Sequence, residues 1–213
     1  MNDPLNFGLL AFASLFTMIN PLGVVPVYVS MTASLTKEQA RRTALKATVT
    51  ALAILVVFTL TGQLIFQFFS ISVNSLRVVG GVIFFIMGYD MLQARLSRTK
   101  HDDEPSQTYV EDIAVTPLAI PMICGPGAIT SVIVFAGDAV TVAHQAVLFV
   151  VMAGVMVMTY AALRGSQRIM DVIGENGNRV LMRLMGLIVM AIAVEFFFGG
   201  LKPILRDIFM IGG

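Results

Sequence analysis

The chain alternates long apolar runs with short polar ones. Six runs reach the about 20 residues that a helix needs to cross about 30 Å of hydrocarbon. They cover approximately 6–31, 43–69, 73–94, 113–136, 142–163 and 179–200. The connections between them are too short for a soluble domain. Only Ser97 to Asp112 (SRTKHDDEPSQTYVED) is long and polar, and its Pro, Ser, Thr and mixed charge predict a flexible linker. The first run has no basic residues ahead of it and is longer than a signal-peptide core, so it reads as a retained transmembrane helix. The expected fold class is an all-α membrane protein of six transmembrane helices.

The two halves share features at nearly one offset. Asn20-Pro21-Leu22-Gly23 returns in kind as Gly125-Pro126-Gly127-Ala128, and Leu76-Arg77-Val78-Val79-Gly80 as Met182-Arg183-Leu184-Met185-Gly186. Three spans in each half force the second half to cross upside down relative to the first. That is the inverted-repeat plan of many secondary transporters. The expected organisation is a first three-helix repeat over 1–96, a cytoplasmic linker over 97–112 and a second, inverted repeat over 113–213.

Composition narrows the class. The apolar share is 57%, charged residues are 13% and mean hydropathy is +0.85, whereas soluble domains carry about 25% charge. A soluble enzyme, a disordered chain and a coiled coil are excluded. A net charge of +1 gives no reason to expect a nucleic-acid partner. Basic residues gather on one set of loops and helix ends: Lys37, Arg41, Arg42, Lys46, Arg95, Arg98, Lys100, Arg164, Arg168, Arg179 and Arg183. The opposite side has Arg77, Lys202 and Arg206. By the positive-inside rule both termini face away from the cytoplasm.

Site chemistry of other kinds is sparse. Cys124 stands alone, and His101 and His144 lie apart in polar or short connecting stretches, so no metal site is expected. No phosphate-binding loop and no nucleophile–base set stand out, so neither nucleotide-driven transport, a cofactor nor enzymatic chemistry is expected.

The helix breakers carry the functional signal. Asn20 falls about 20 Å and Gly125 about 18 Å into their spans, at 1.5 Å per residue. Pro26 follows the first break, and Pro117 and Pro121 precede the second. Asn20 suits an N-cap and Pro21 the first helical position after it, and Gly125-Pro126 repeats the arrangement. Spans one and four are therefore expected to be pairs of half-helices broken near the midplane. A half-helix N-terminus offers amides to an anion, and the preceding C-terminus offers carbonyls to a cation or ammonium. A shared central cavity so built matches a zwitterion. Asn20, Pro21, Gly23, Gly125, Pro126 and Gly127 are the expected substrate-binding residues. Thr17, Thr130 and Ser131, about one turn away, would either bind substrate or tie down freed carbonyls. The competing reading is a pair of proline kinks that serve packing alone.

Asp90 and Glu195 are the carboxylates inside otherwise apolar helices. Ion coupling is one role for them. Interfacial placement competes, and is favoured because neither reaches midplane depth in the runs above. Thr43, Ala47 and Ala51 make a small-residue stripe for helix packing. Met152, Met156, Met158, Met182, Met185 and Met190 read as packing or lipid-facing residues.

Asn20-Pro21-Leu22-Gly23 with Pro26, Pro117-Leu118-Ala119-Ile120-Pro121 and Gly125-Pro126-Gly127-Ala128-Ile129 resemble the MarC family of six-span bacterial inner-membrane proteins. Arg77 with Gly80-Gly81 and Arg183 with Met185-Gly186 add to the likeness. That family includes small neutral amino acid transporters of the SnatA type. The resemblance implies a multi-pass protein of the bacterial inner membrane with periplasmic termini. It implies a secondary transporter of glycine, alanine and similar solutes, working by alternating access. It also implies proton coupling, although broken-helix carbonyls suit sodium equally well. An exporter of another small solute, or a passive pore, is the alternative on the same architecture. The residues carry no signal for oligomeric state or for import against export.

Overall fold

The computed structural model describes residues 3–93 and 112–209, with backbone alone at 167, 169–173 and 175. The expected linker, apart from Asp112, and His101 lie outside the described residues, as do the outer ends of both expected halves. No strand occurs among the described residues.

The first apolar run folds as two helices, α1 (Pro4–Ile19) and α2 (Pro21–Met31). Asp3 caps α1 by accepting from the Leu5 amide at 3.0 Å. Helix α2 is apolar around its whole circumference, and such a helix is stable only when surrounded. It is buried at Pro21, at every residue from Gly23 to Val29 and at Met31. Three hydrogen bonds tie it to its neighbours, one of them from Asn178 Nδ2 to the Pro26 carbonyl at 3.4 Å. The Tyr28 hydroxyl donates to the Ala40 carbonyl at 2.8 Å, and Asn178 Nδ2 reaches Ser30 Oγ at 3.1 Å.

Helix α3 (Lys37–Phe68) starts at a capping box, Thr36 with Gln39. Its buried face is made of small residues over the first half, Ala40, Thr43, Ala44, Ala47, Thr48 and Ala51, before Leu55 and Gly62. The stripe legible in the sequence is thus a packing face, and it meets the helices of the second half. Helix α4 (Val73–Leu92) is capped by Ser72, which accepts from the Ser75 amide at 2.9 Å.

The fourth run is the least regular. Helix α5 (Ala114–Ile123) is π-wound and leaves helical geometry at Thr116 and Ile120. Each stands before a proline, which pushes the preceding residue into extended backbone. Helix α6 (Pro126–Asp138) then departs at 57°. The sequence placed one break here, at Gly125; the chain is interrupted at three places. Helix α7 (Val142–Phe209) is divided at Gly174, whose φ of 68° suits glycine. Its two membrane-length parts are Val142–Ser166 and Asn176–Phe209. Among the described residues five helical segments, α1 with α2 (Pro4–Met31) counted as one, are long and apolar enough to cross a bilayer, and the bent pair α5–α6 taken as one span makes six.

Helix α4 and the second part of α7 run antiparallel at backbone contact. A Cβ at Gly200 would meet the Asn74 carbonyl, one at Gly81 the Ala193 carbonyl, and one at Gly88 the Gly186 carbonyl. As the number rises along one helix it falls along the other. Small residues permit this close approach, the usual source of helix association in lipid. Met152, Met156 and Met182 are buried and fill the interior, while Met158 is exposed.

Candidate functional site

The first break is one residue wide. Asn20 ends α1 by donating its amide to the Phe16 carbonyl at 3.0 Å, and takes left-handed backbone (φ 47°, ψ 67°). Its Oδ1 then accepts from the Gly23 amide at 3.1 Å, which opens α2 with Pro21 in the first position. Asparagine suits both jobs: it tolerates the left-handed region and it caps. The second break is built differently. Gly125 opens α6 in extended backbone, with Pro126 next and no side-chain cap.

A cavity lies at the first break, and the second broken span reaches it through Met122 of α5, while Gly125, Pro126 and Gly127 do not line it. It has a volume of about 40 Å³, and Thr17, Asn20, Gly23, Phe84 and Met122 are among its walls. The Phe84 ring lies directly against Gly125, and Met18 against Gly127. Neither helix start presents an open cluster of amides. Asn20 takes up one amide of its own helix, and Phe84 and Met18 stand in front of the other helix start. Pro21 is buried, and Pro126 packs on Gly80.

A second, wider cavity of about 740 Å³ adjoins the first, and Thr17, Met18 and Ile192 line both. It brings Thr17, Thr130 and Ser131 together with Ser14, Arg77 and Glu195. Ser131 Oγ donates to the Gly127 carbonyl at 2.9 Å, so it ties down the first turn of α6. Thr130 is buried, and its hydroxyl has no partner. Asp90 lines neither cavity; it sits two residues before the end of α4.

Glu195 lines the wide cavity, on a helix longer than its apolar run. The last helix does not stop near 200 but runs through Pro203 to Phe209, which puts Glu195 about 20 Å from its end. One turn away, Ile192 shares the cavity with Asn20.

Sequence reasoning gave no site role to three residues. Ser14 and Arg77 reach the wide cavity only through the packing of distant helices. His144, expected in a connection, lies in the first turn of α7 and is buried. Its Nδ1 is 2.6 Å from Thr141 Oγ1, its Nε2 is unpartnered, and the Phe7 ring meets it edge-on at 5.0 Å. Its place right after a break, beside a threonine, was the available signal.

The sequence model of the MarC family integral membrane proteins matches residues 5–205. The chain belongs to the MarC family. Its relatives include the UPF0056 membrane protein MJ1677 of Methanocaldococcus jannaschii, 35% identical over 93% of this chain and 97% of that protein. The UPF0056 membrane protein YvbG of Bacillus subtilis is 36% identical over 90% of this chain and 92% of its own. YhcE of Escherichia coli is 34% identical, with 91% of each chain covered. No solved structure matches the chain. The broken helices described above thus lie within the matched region of a MarC family membrane protein.

Proposed function

We propose that this MarC family protein is a secondary transporter of small neutral amino acids, glycine and alanine among them, and not an enzyme. The observation that carries the reading is the single cavity bordered by both broken helices, Asn20 on one side and Met122 with Phe84 before Gly125 on the other. Backbone freed inside hydrocarbon is tolerated where protein or a water-filled cavity satisfies it, and transporters use such breaks to hold small polar solutes.

The inverted-repeat plan is part of the proposal. Helices α2 and α6 begin at Pro21 and Pro126, and α3 and α7 at Lys37 and Val142, each pair 105 residues apart. The antiparallel α4 and last helix suit a two-fold relation in the membrane plane. In this reading the linker and the basic helix ends face the cytoplasm of a bacterial inner membrane, with both termini periplasmic. The wide cavity is then open and the break cavity narrow. A volume of about 40 Å³ is room for a few waters, so rocking of one repeat against the other is needed to admit a solute. Protons are the proposed coupling ion, with sodium as the rival.

Purified protein in proteoliposomes should take up labelled glycine or alanine and exchange it for unlabelled solute. Uptake no greater than in protein-free vesicles would reject the proposal. Passage of label without counterflow accumulation would favour a passive pore.

A further inference from the structure

The wide cavity holds two opposite charges that do not pair with each other. Arg77 from α4 and Glu195 from the last helix both line it. Glu38 pairs with Arg41 and Arg42, but no ion pair joins Arg77 to Glu195 among the described residues. Charges within membrane spans are expensive and normally have a partner or a water-filled cavity. These two are set one turn apart. Gly200 packs on Arg77, whereas Gly81 faces Ala193 and Phe197, the residues flanking Glu195. Along antiparallel helices that places Arg77 about 6 Å outside Glu195. Both side chains are long enough to converge on a ligand between them.

The rest of the wall is suited to the same ligand. Ser14, Thr17, Thr130 and Ser131 line it. The Thr130 hydroxyl is buried beneath this wall and unpartnered, so the hydroxyls offered to a ligand are those of Ser14, Thr17 and Ser131. The break cavity is different in kind. Beyond Thr17 and Asn20 its side chains are apolar, and it has no charged residue. Charge is therefore read in the wide cavity, before the shared narrowing at Thr17, Met18 and Ile192.

We infer that the wide cavity is a recognition site for an α-amino acid zwitterion, with Arg77 taking the carboxylate and Glu195 the ammonium. The site rejects solutes that carry only one of the two charges. This inference rests on the amino acid transporter reading and assigns that reading a selectivity step. No bond is made or broken.

The test uses full-length protein in proteoliposomes and glycine counterflow. Unlabelled glycine, glycinamide and acetate serve as competitors, so that each analogue lacks one charge of the zwitterion. Wild type should favour glycine over either analogue by about tenfold or more, the scale of one charge-assisted hydrogen bond. Glu195→Gln should raise the glycine KM by about tenfold, more than it lowers kcat, and should erase the preference over acetate. Arg77→Gln should do the same for glycinamide. Either variant alone decides the matter. Where a neutral variant does not fold, Glu195→Asp and Arg77→Lys, which keep charge and change reach, are judged by the same KM shift. Wild-type exchange with KM and competitor order unchanged in the variants would overturn the site and leave the transporter reading standing. No glycine or alanine exchange by the wild type would overturn the transporter reading, and this one with it.

Discussion

The Ser14 hydroxyl lies 3.2 Å from the Ser131 hydroxyl, joining the first broken span to the second across 117 residues of chain. The proton direction follows from the count of donors. Ser131 spends its hydrogen on the Gly127 carbonyl at 2.9 Å, so Ser14 is the donor between them. The pair holds α1 against α6 one turn beyond the second break.

Ser14→Ala and Ser131→Ala should each lower stability by about 0.5–1 kcal/mol, the range for interhelical hydrogen bonds in membranes. The double variant should cost less than the two together, because the singles share one bond. Thermal unfolding in detergent checks this; fully additive losses would mean that the hydroxyls act separately.

Asn20 combines a cap with left-handed backbone, and two substitutions separate these roles. Asn20→Ala loses the cap, a cost of about 1 kcal/mol, and places a Cβ residue at φ 47° without a local hydrogen bond. Asn20→Gly adopts that φ freely, and glycine caps only a few tenths of a kcal/mol worse than asparagine. The glycine variant should therefore unfold within a few degrees of wild type, with the alanine variant clearly below it. The reverse order would contradict the observed backbone.

The glycines of the second break should respond unequally. A Cβ at Gly125 would lie 2.5 Å from the Pro121 carbonyl, which is backbone and cannot swing aside. A Cβ at Gly127 would meet Met18 Sδ at 2.8 Å, the far part of a flexible side chain. Gly125→Ala should lose most of the folded yield, whereas Gly127→Ala should give normal yield. Yields in membrane extracts by gel filtration decide the comparison.

The contact between α4 and the last helix should behave as one unit. Gly88→Ala pushes on the Gly186 carbonyl and Gly186→Ala on the Gly88 carbonyl. Each should destabilise by about 1–3 kcal/mol, as overpacking does. Together they should cost less than twice that, since the first already separates the backbones. Equal and additive losses in a thermal unfolding series would argue against direct contact.

Thr130→Val keeps the side-chain shape and removes the unpartnered buried hydroxyl. It should raise stability by about 1 kcal/mol or more, the desolvation relieved, as thermal unfolding in detergent would show. A less stable variant would mean that the hydroxyl has a partner.

The spans, the bend of the first one at Asn20 and the start of α6 at Gly125 were legible because they are local. Apolar length fixes a crossing helix. An Asn-Pro or Gly-Pro step fixes a helix start through the capping group and the missing proline amide, whatever surrounds it. The packing face at Thr43, Ala47 and Ala51 was legible for a similar reason: helical spacing puts small residues on one side. The extra interruptions at Thr116 and Ile120 were harder to see, because a proline permits either a kink or a fully extended step, and the neighbours choose.

What only the tertiary structure decided is which side chains share a cavity. Arg77 and Glu195 are 118 residues apart in the chain, and nothing local relates them. They meet because glycines let α4 and the last helix touch at their backbones, and because that helix continues to Phe209. Phe84 came to cover Gly125 in the same way. Helix starts are written in short-range backbone chemistry; the partners around a cavity follow from packing over long range, which a single chain of letters does not encode locally.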